Sequence, residues 1–279
     1  MLLILGRVSN LPTVWSNCLA GWWLAGGGNY GKLPLLLIGM SALHTGGTIL
    51  NDAFDADFDQ QRRAARPIPA GKISAETVWR YGWAWLGLGI LCLLFLGKVA
   101  GALAIILAVC ILIYNAVHKF ITASPWLMGL CRFWVYVIAG TTGVEGLNGW
   151  PIWCGAALGF YIAGVNYIAK RKNFRGPVSP WSLIPLVVPI LLAQLMNTGA
   201  ALKPALLISL VLTLWLARCL RTVFQPGEIN VGRIVAGLLA GVVLADWLAI
   251  APQSPPWLGA VFLLSFGATL LLQRLVPAP

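Results

Sequence analysis

The sequence predicts an all-α protein, a polytopic transmembrane helical bundle, from three observations. The chain has 279 residues, of which 59% are hydrophobic and only 10% are charged, whereas a soluble domain of this length carries about a quarter charged residues. The apolar residues form runs of about 20, the length that a helix needs to cross a bilayer. Short basic segments separate these runs, as loops separate membrane helices. No polar stretch is long enough for a second domain, so residues 1–279 are expected to form a single membrane domain.

Ten apolar runs are candidate spans. Prolines inside them, such as Pro185 and Pro189, are tolerated in membrane helices. Trp150, Trp181 and Trp257 lie near span ends, where tryptophan meets the membrane interface. The spans are predicted at about 11–29, 33–50, 76–97, 99–117, 127–147, 150–169, 181–198, 204–220, 231–251 and 256–274.

The net charge of +11 predicts an orientation in the membrane. No nucleic-acid partner is expected, because the basic residues lie in short loops between apolar runs. If the spans alternate, fifteen of the nineteen Lys and Arg residues fall on one side. The positive-inside rule places that side in the cytoplasm, with both termini and the loops at 51–75, 118–126 and 170–180. There they would face anionic lipid headgroups or anionic substrates.

Half of the acidic residues follow directly on the second apolar run. Four of the eight lie within nine positions, Asn51-Asp52-Ala53-Phe54-Asp55-Ala56-Asp57-Phe58-Asp59. On a continuous helix Asp52, Asp55 and Asp59 fall within an arc of roughly 60°, while Asp57 points elsewhere. Three like charges on one face repel each other unless a cation lies among them. Because Mg²⁺ prefers carboxylate and phosphate oxygens, the three carboxylates are predicted to bind Mg²⁺; the alternative is a solvated helix end.

The next segment, Arg66-Pro67-Ile68-Pro69-Ala70-Gly71-Lys72, is predicted to be a stiff loop. Its prolines fix φ and Gly71 permits a turn. An arginine held rigidly after an acidic cluster can reach a phosphate that the cluster's metal also binds. Arg66 is therefore a candidate substrate-binding residue, and the alternative is a basic loop that only sets topology.

These two segments resemble the first signature of the UbiA superfamily of intramembrane prenyltransferases. That signature is written N-D-x-x-D-x-x-x-D followed by R-P-[IL]-P-[SA]-G, and NDAFDADFD and RPIPAG match it closely. The resemblance implies nine to ten spans around a central cavity. It also implies that a Mg²⁺-bound prenyl diphosphate ionises there and alkylates a hydrophobic or aromatic acceptor. The chain is similar to a divergent branch labelled EboC, which implies a bacterial inner membrane.

The resemblance also implies roles for single residues. Asn51 would be a metal ligand or hydrogen-bond partner beside the aspartates. The segment from Tyr114 to Lys119 resembles the Tyr-x-x-x-x-Lys stretch that follows the fourth span of the family. Lys119 would then contact the diphosphate and Tyr114 would line the cavity. The alternative for this pair is an interfacial aromatic residue and a topology-setting lysine.

Few polar residues lie inside the apolar runs. A charge at membrane depth is costly and usually meets a partner or a wet cavity, so Arg132 is a candidate substrate-binding residue. His44 is interpreted as a polar packing residue. Glu145 and Asp246 are expected to be hydrated near the outer ends of their spans.

The second family signature, roughly Tyr-x-x-x-Asp-x-x-x-Asp, is not matched. The corresponding stretch from Tyr167 to Arg175 contains no acidic residue, so carboxylates cannot hold a second Mg²⁺ there. Arg171 aligns with the first missing acid. Its basic run could bind phosphate in place of that metal, or it could be a plain loop.

Two functions remain open. The leading hypothesis is a Mg²⁺-dependent prenyltransferase in which Asp52, Asp55 and Asp59 hold the metal, and Arg66, Lys119 and Arg171 hold the diphosphate. The alternative is a non-catalytic protein that binds or transports an isoprenoid or another hydrophobic metabolite and keeps only the first acidic motif.

Overall fold

The computed structural model describes residues 2–63, 66–170, 183–223 and 230–276, and its regular structure is helical. Twelve α-helices are described in these ranges. They are α1 (Leu2–Leu5), α2 (Leu11–Leu24), α3 (Leu33–Phe54), α4 (Ala56–Arg62), α5 (Ala75–Leu96), α6 (Lys98–Val117), α7 (Ser124–Gly140), α8 (Gly149–Lys170), α9 (Ile184–Met196), α10 (Leu202–Leu220), α11 (Val231–Ile250) and α12 (Pro256–Leu275).

Local signals explain where several helices begin and end. Proline occupies the first turn of α2, α3, α7, α9 and α12, where its missing N–H has no helical partner to lose. The Ser74 side chain caps α5 by accepting a hydrogen bond from the Thr77 amide. Asn230 caps α11 in the same way through the Arg233 amide. Gly97 separates α5 from α6 with a φ of 152°, a conformation that favours glycine.

The all-α bundle is confirmed, but the predicted count of nine to ten spans is not. Within the described residues, seven helical segments are long and apolar enough to cross a membrane. They are Tyr30–Phe54, Ala75–Leu96, Lys98–Val117, Gly149–Lys170, Gly199–Val223, Val231–Gln253 and Pro256–Leu275. The other three predicted spans correspond to shorter helices: α2 with 14 residues, α7 with 17 and α9 with 13. A full crossing takes about 20 residues, so apolar composition alone overestimated the length of these helices.

Two large apolar clusters form most of the core, and a small third one holds Leu5, Ile49, Ala53 and Val78. Of the two large clusters, one joins α8, α10 and α11, and the other joins α3, α5 and α6. Helices α2 and α7 contribute residues to both clusters and lie between them. Many large apolar side chains on the outer helix faces stay exposed, among them Phe95, Leu207 and Leu264, as expected for surfaces that contact lipid.

Candidate functional site

The acidic cluster lies where α3 passes into α4. Helical hydrogen bonding continues through the junction, because the Asp55 amide donates to the Asn51 carbonyl and the Asp59 amide donates to the Asp55 carbonyl, at 3.0 and 2.8 Å. Asp52, Asp55 and Asp59 are all buried, whereas Asp57 is exposed. The face that the sequence predicts is therefore present in the fold.

Basic side chains of the protein itself lie among these carboxylates. Arg66 Nη1 is 2.8 Å from Asp52 Oδ1 and 3.0 Å from Asp59 Oδ2. Lys119 Nζ is 2.7 Å from Asp55 Oδ1. Three longer contacts complete the described set: Arg7 Nη2 lies 3.7 Å from Asp52, His118 Nε2 lies 3.5 Å from Asp55, and Arg63 Nε lies 3.9 Å from Asp59 Oδ1. Arg66 and Lys119 thus supply, in this structure, the positive charge that offsets the repulsion among the three carboxylates.

Asp52 and Asp59 offer the oxygen ligands of a magnesium site built on two carboxylates. Asp52 and Asp59 both reach one nitrogen of Arg66, which marks a point where a single cation meets two carboxylates. Asp59 Oδ1 is buried and accepts no hydrogen bond from the described part of the chain. Among the described residues no three His, Cys, Asp or Glu side chains gather closely enough to hold a metal, so the three-carboxylate site stays a prediction. A metal on Asp52 and Asp59 would require Arg66 to release both.

A cavity of about 590 Å³ opens beside this cluster, between the two apolar clusters of the core. Its mouth lies at the C-terminal ends of α3, α6 and α8, and its deeper walls are apolar, with Leu43, Val135 and Ile162 among them. Six basic side chains line it within the described residues, against one carboxylate, that of Asp55. The basic residues are Arg7, Arg63, Arg66, Lys119, Arg132 and Lys170. This excess of positive charge, together with the apolar interior, suits a ligand with an anionic head and an apolar tail.

Asn51 and Tyr114 also line this cavity, and their roles in binding stay predictions. Asn51 accepts a hydrogen bond from Arg7 at 3.2 Å and donates one to Asn115 at the same distance. Tyr114 stacks on His118 with ring centroids 5.2 Å apart, and its hydroxyl lies 3.5 Å from Asn166 Oδ1. These contacts hold the C-terminal ends of α3 and α6 together at the mouth.

The other predicted site residues have different outcomes. Arg132 is buried and lines the cavity. Arg171 lies outside the described residues. Its neighbour Lys170 is described: it lines the mouth, and its Nζ donates to the Ile121 carbonyl at 2.9 Å.

One residue differs from its sequence-based interpretation. Asp246 was expected to be hydrated, but it is fully buried because Ser16, Asn17 and Tyr136 donate hydrogen bonds to it. His44, interpreted as a polar packing residue, lines the cavity wall, which is compatible with that interpretation.

Sequence reasoning missed several cavity residues. Arg7 was given no role in the site, yet it is the one described non-glycine residue with positive φ, at 44°. Such strain is often held at functional sites, but it is not readable from a sequence. His118 and Asn166 were also missed, although His118 lies inside the Tyr-x-x-x-x-Lys stretch and was therefore within reach.

Comparisons with known proteins agree with this geometry. The chain is 35% identical to a digeranylgeranylglyceryl phosphate synthase of Ignicoccus hospitalis over 100 residues, which cover 32% of the chain and 33% of that relative. The chain thus spans about a third of the length of this curated relative.

Two solved structures share the fold. A digeranylgeranylglyceryl phosphate synthase superposes with a TM-score of 0.62 at 19% identity, over 90% of this chain and 97% of the other. A UbiA homologue of Archaeoglobus fulgidus bound to DMAPP and Mg²⁺ gives a TM-score of 0.50 at 16% identity, over 99% of each chain.

A family model decides the assignment. The model of the UbiA prenyltransferase family matches residues 12–176, more than half of the chain, and this match includes the acidic cluster, Arg66 and Lys119. The chain therefore belongs to the UbiA prenyltransferase family.

Proposed function

We propose that this protein transfers a prenyl group from a polyprenyl diphosphate to a hydrophobic or aromatic acceptor inside the membrane. The observation that carries the proposal is the cavity, which combines a basic mouth beside buried carboxylates with an apolar interior. A diphosphate fits the mouth and an isoprenoid chain fits the interior. The relatives support this class of reaction, and the Archaeoglobus fulgidus homologue binds DMAPP with Mg²⁺.

In this proposal Asp52 and Asp59 hold Mg²⁺, with the Asn51 amide oxygen beside them. When bound, the metal ion neutralises negative charge on the diphosphate leaving group. Arg66 moves from the two carboxylates to the diphosphate oxygens, which a planar guanidinium binds with paired N–H groups. Asp55 keeps Lys119 directed at the mouth.

Basic residues at the mouth take the place of the missing second acidic motif in this proposal. Lys170 lines the mouth, and Arg171, outside the described residues, follows it directly. Together with Arg7 they would stabilise charge that develops on the leaving diphosphate. Tyr114 lines the same cavity, and its ring would stabilise the allylic cation that remains.

One observation favours the alternative of a non-catalytic isoprenoid-binding protein. Arg66 already neutralises Asp52 and Asp59 in this structure, so a phosphorylated head could dock on the basic mouth without any metal. The two functions differ in what the carboxylates do, and this difference can be measured.

The test is the binding of geranyl diphosphate to purified protein, with and without Mg²⁺, in Asp52→Asn and Asp59→Asn. If the carboxylates hold Mg²⁺, both variants lose the Mg²⁺-dependent part of the affinity. If they only anchor Arg66, the variants bind the diphosphate at least as tightly without Mg²⁺, because negative charge has been removed from an anion site. Asp57→Asn is the matched control, since Asp57 belongs to the same acidic cluster but is exposed. Product formation from a panel of acceptors by the wild type, absent in Asp52→Asn, then separates the enzyme from the binder.

A further inference from the structure

His44 lies on the same face of α3 as part of the acidic cluster, but farther from the mouth. Asn51 and Asp55 follow it by seven and eleven residues, which at 100° per residue places the three within an arc of about 40°. All three line the cavity. At a rise of 1.5 Å per residue, His44 lies about 10 Å below Asn51. It therefore faces the interior of the cavity, below the diphosphate site.

Two residues of the cavity wall carry a buried polar atom without a partner. His44 Nε2 and Asn10 Oδ1 make no hydrogen bond within the described ranges, and both residues line the cavity. Both adjoin the turn at Arg7, whose carbonyl accepts the Asn10 amide at 2.9 Å and whose backbone lies beside the His44 ring. Because buried polar groups are almost always paired, these atoms indicate a ligand that brings a hydrogen-bonding group of its own.

The imidazole of His44 can accept a proton from such a ligand. A neutral imidazole carries one N–H and one lone pair. Arg7 and Arg132 line the same cavity, and a third positive charge among them is electrostatically unfavourable. The neutral ring, with its lone pair free, is therefore the resting form.

The other bases of the described cavity wall already have partners. Asp55 is the one carboxylate that lines this part of the wall, and Lys119 Nζ holds it at 2.7 Å. The second histidine of the chain, His118, lies at the mouth with its Nε2 3.5 Å from Asp55. His44 is thus the base in the described wall that remains available to a ligand in the interior.

We propose that His44 accepts the hydroxyl proton of the acceptor as the prenyl bond forms. This inference adds a catalytic residue to the proposed transfer and so rests on it. Carbon 1 of the prenyl group leaves the diphosphate, which keeps the electron pair of the broken C–O bond. A lone pair of the acceptor's hydroxyl oxygen forms the new bond to that carbon, and the O–H proton passes to the lone pair of His44.

The depth of His44 fits this step. A general base acts from about 3 Å away from the atom that bears the proton, and reacting atoms approach to about 3–3.5 Å before their bond forms. These two contacts span about 6 Å of the roughly 10 Å between the levels of His44 and Asn51. The remaining length accommodates the bond between the reacting carbon and the diphosphate.

The test uses purified full-length protein, geranyl diphosphate, Mg²⁺ and 1-naphthol as a hydroxylated acceptor. His44→Ala should slow formation of the geranyl naphthyl ether about 100- to 10,000-fold, the usual contribution of a general base, while geranyl diphosphate affinity stays at the wild-type value. Added imidazole should restore part of the rate, because it brings a lone pair into the space that the side chain leaves. Pyrrole has the same ring size but no basic nitrogen, so it should restore none.

Thr45→Ala is the matched control, because Thr45 follows His44 on α3 and is not among the described residues of the cavity wall; it should keep the wild-type rate. His44→Gln, which keeps a polar side chain of similar size, should be as slow as His44→Ala even if the latter folds poorly.

Three results would overturn the inference and leave the proposed function standing: an undiminished rate in both His44 variants, equal rescue by pyrrole and imidazole, or turnover by the wild type of acceptors without a hydroxyl only. A wild type that binds geranyl diphosphate yet alkylates no acceptor would overturn both.

Discussion

At the scale of single residues, the charge state of the mouth depends on how each carboxylate is paired. Burial by itself raises the pKa of Asp55. Hydrogen bonds from His118 and Lys119 lower that pKa by more than burial raises it, so the pKa of Asp55 lies below its ordinary value. A carboxyl group with a lowered pKa stabilises the folded protein above the unfolded-state pKa and loses that contribution as the pH falls through the folded-state pKa. The pairing of Asp55 therefore adds stability at neutral pH that acid removes.

Asp55→Asn tests this pairing. We expect the variant to lose on the order of 1.5–3 kcal/mol at pH 7, the range for hydrogen bonds to charged groups, because Lys119 loses its partner. As the pH falls from 3.8, the ordinary value for an aspartate, through the lower pKa of the folded state, wild type and variant should converge. Thermal unfolding in detergent across pH 3–7, without added divalent cation, measures both effects. Asp57→Asn should follow the wild-type curve, and an Asp55→Asn curve parallel to wild type would contradict the assignment.

The residues of the candidate site were predictable where they stand close together in the sequence. Asp52, Asp55, Asp59 and Arg66 stand in one motif, so their types and spacing pointed to each other. Asp246 and Asn17 are 229 positions apart, and no local pattern links them. Asp246 was consequently expected to be hydrated, although it is the buried counter-charge of Arg132.

At the scale of helices, the position of the acidic cluster depends on how closely α3 packs against α5. A Cβ at Gly89 would lie 2.7 Å from Leu43 Cγ and 2.8 Å from the Gly39 carbonyl oxygen. A Cβ at Gly46 would lie 2.7 Å from the Leu86 amide nitrogen. Small residues allow such close approach of helices in membranes. Because α3 carries Asn51 and Asp52 at its end, this contact sets where they lie.

Gly89→Ala should therefore destabilise the protein by about 1–3 kcal/mol, the usual cost of overpacking, and weaken geranyl diphosphate binding by displacing α3. Gly87→Ala on the same helix is the matched control, since a Cβ there meets nothing within 4 Å. Its expected effect is neutral or a gain of up to about 1 kcal/mol from helix propensity. Thermal unfolding and diphosphate binding are measured on both variants. Equal behaviour of the two would show that the α3–α5 contact does not control the site.

At the scale of the whole molecule, the basic mouth and the described loop that carries Arg66 share one face. The ends of α3, α6 and α8 meet there, and the loop that carries Arg66 joins them. The charge asymmetry of the sequence predicts that this face is cytoplasmic, where a prenyl diphosphate would enter from water.

Labelling of single cysteines tests the orientation in intact bacterial cells. In a cysteine-free background, Lys72→Cys should react with a membrane-impermeant maleimide only after the cells are permeabilised. Lys98→Cys, at the opposite end of α5, should react in intact cells. The reverse pattern would overturn the predicted orientation.

The sequence by itself determined the helical membrane class, the acidic cluster and the basic loop, because composition and short-range spacing carry that information. Only the tertiary structure decided which side chains of the site contact each other. It placed Arg66 between Asp52 and Asp59, set Lys119 on Asp55, and buried Asp246 behind Asn17 and Arg132. These are contacts between distant segments, and the physical reason that they escaped prediction is that helix packing, not local spacing, brings such segments together.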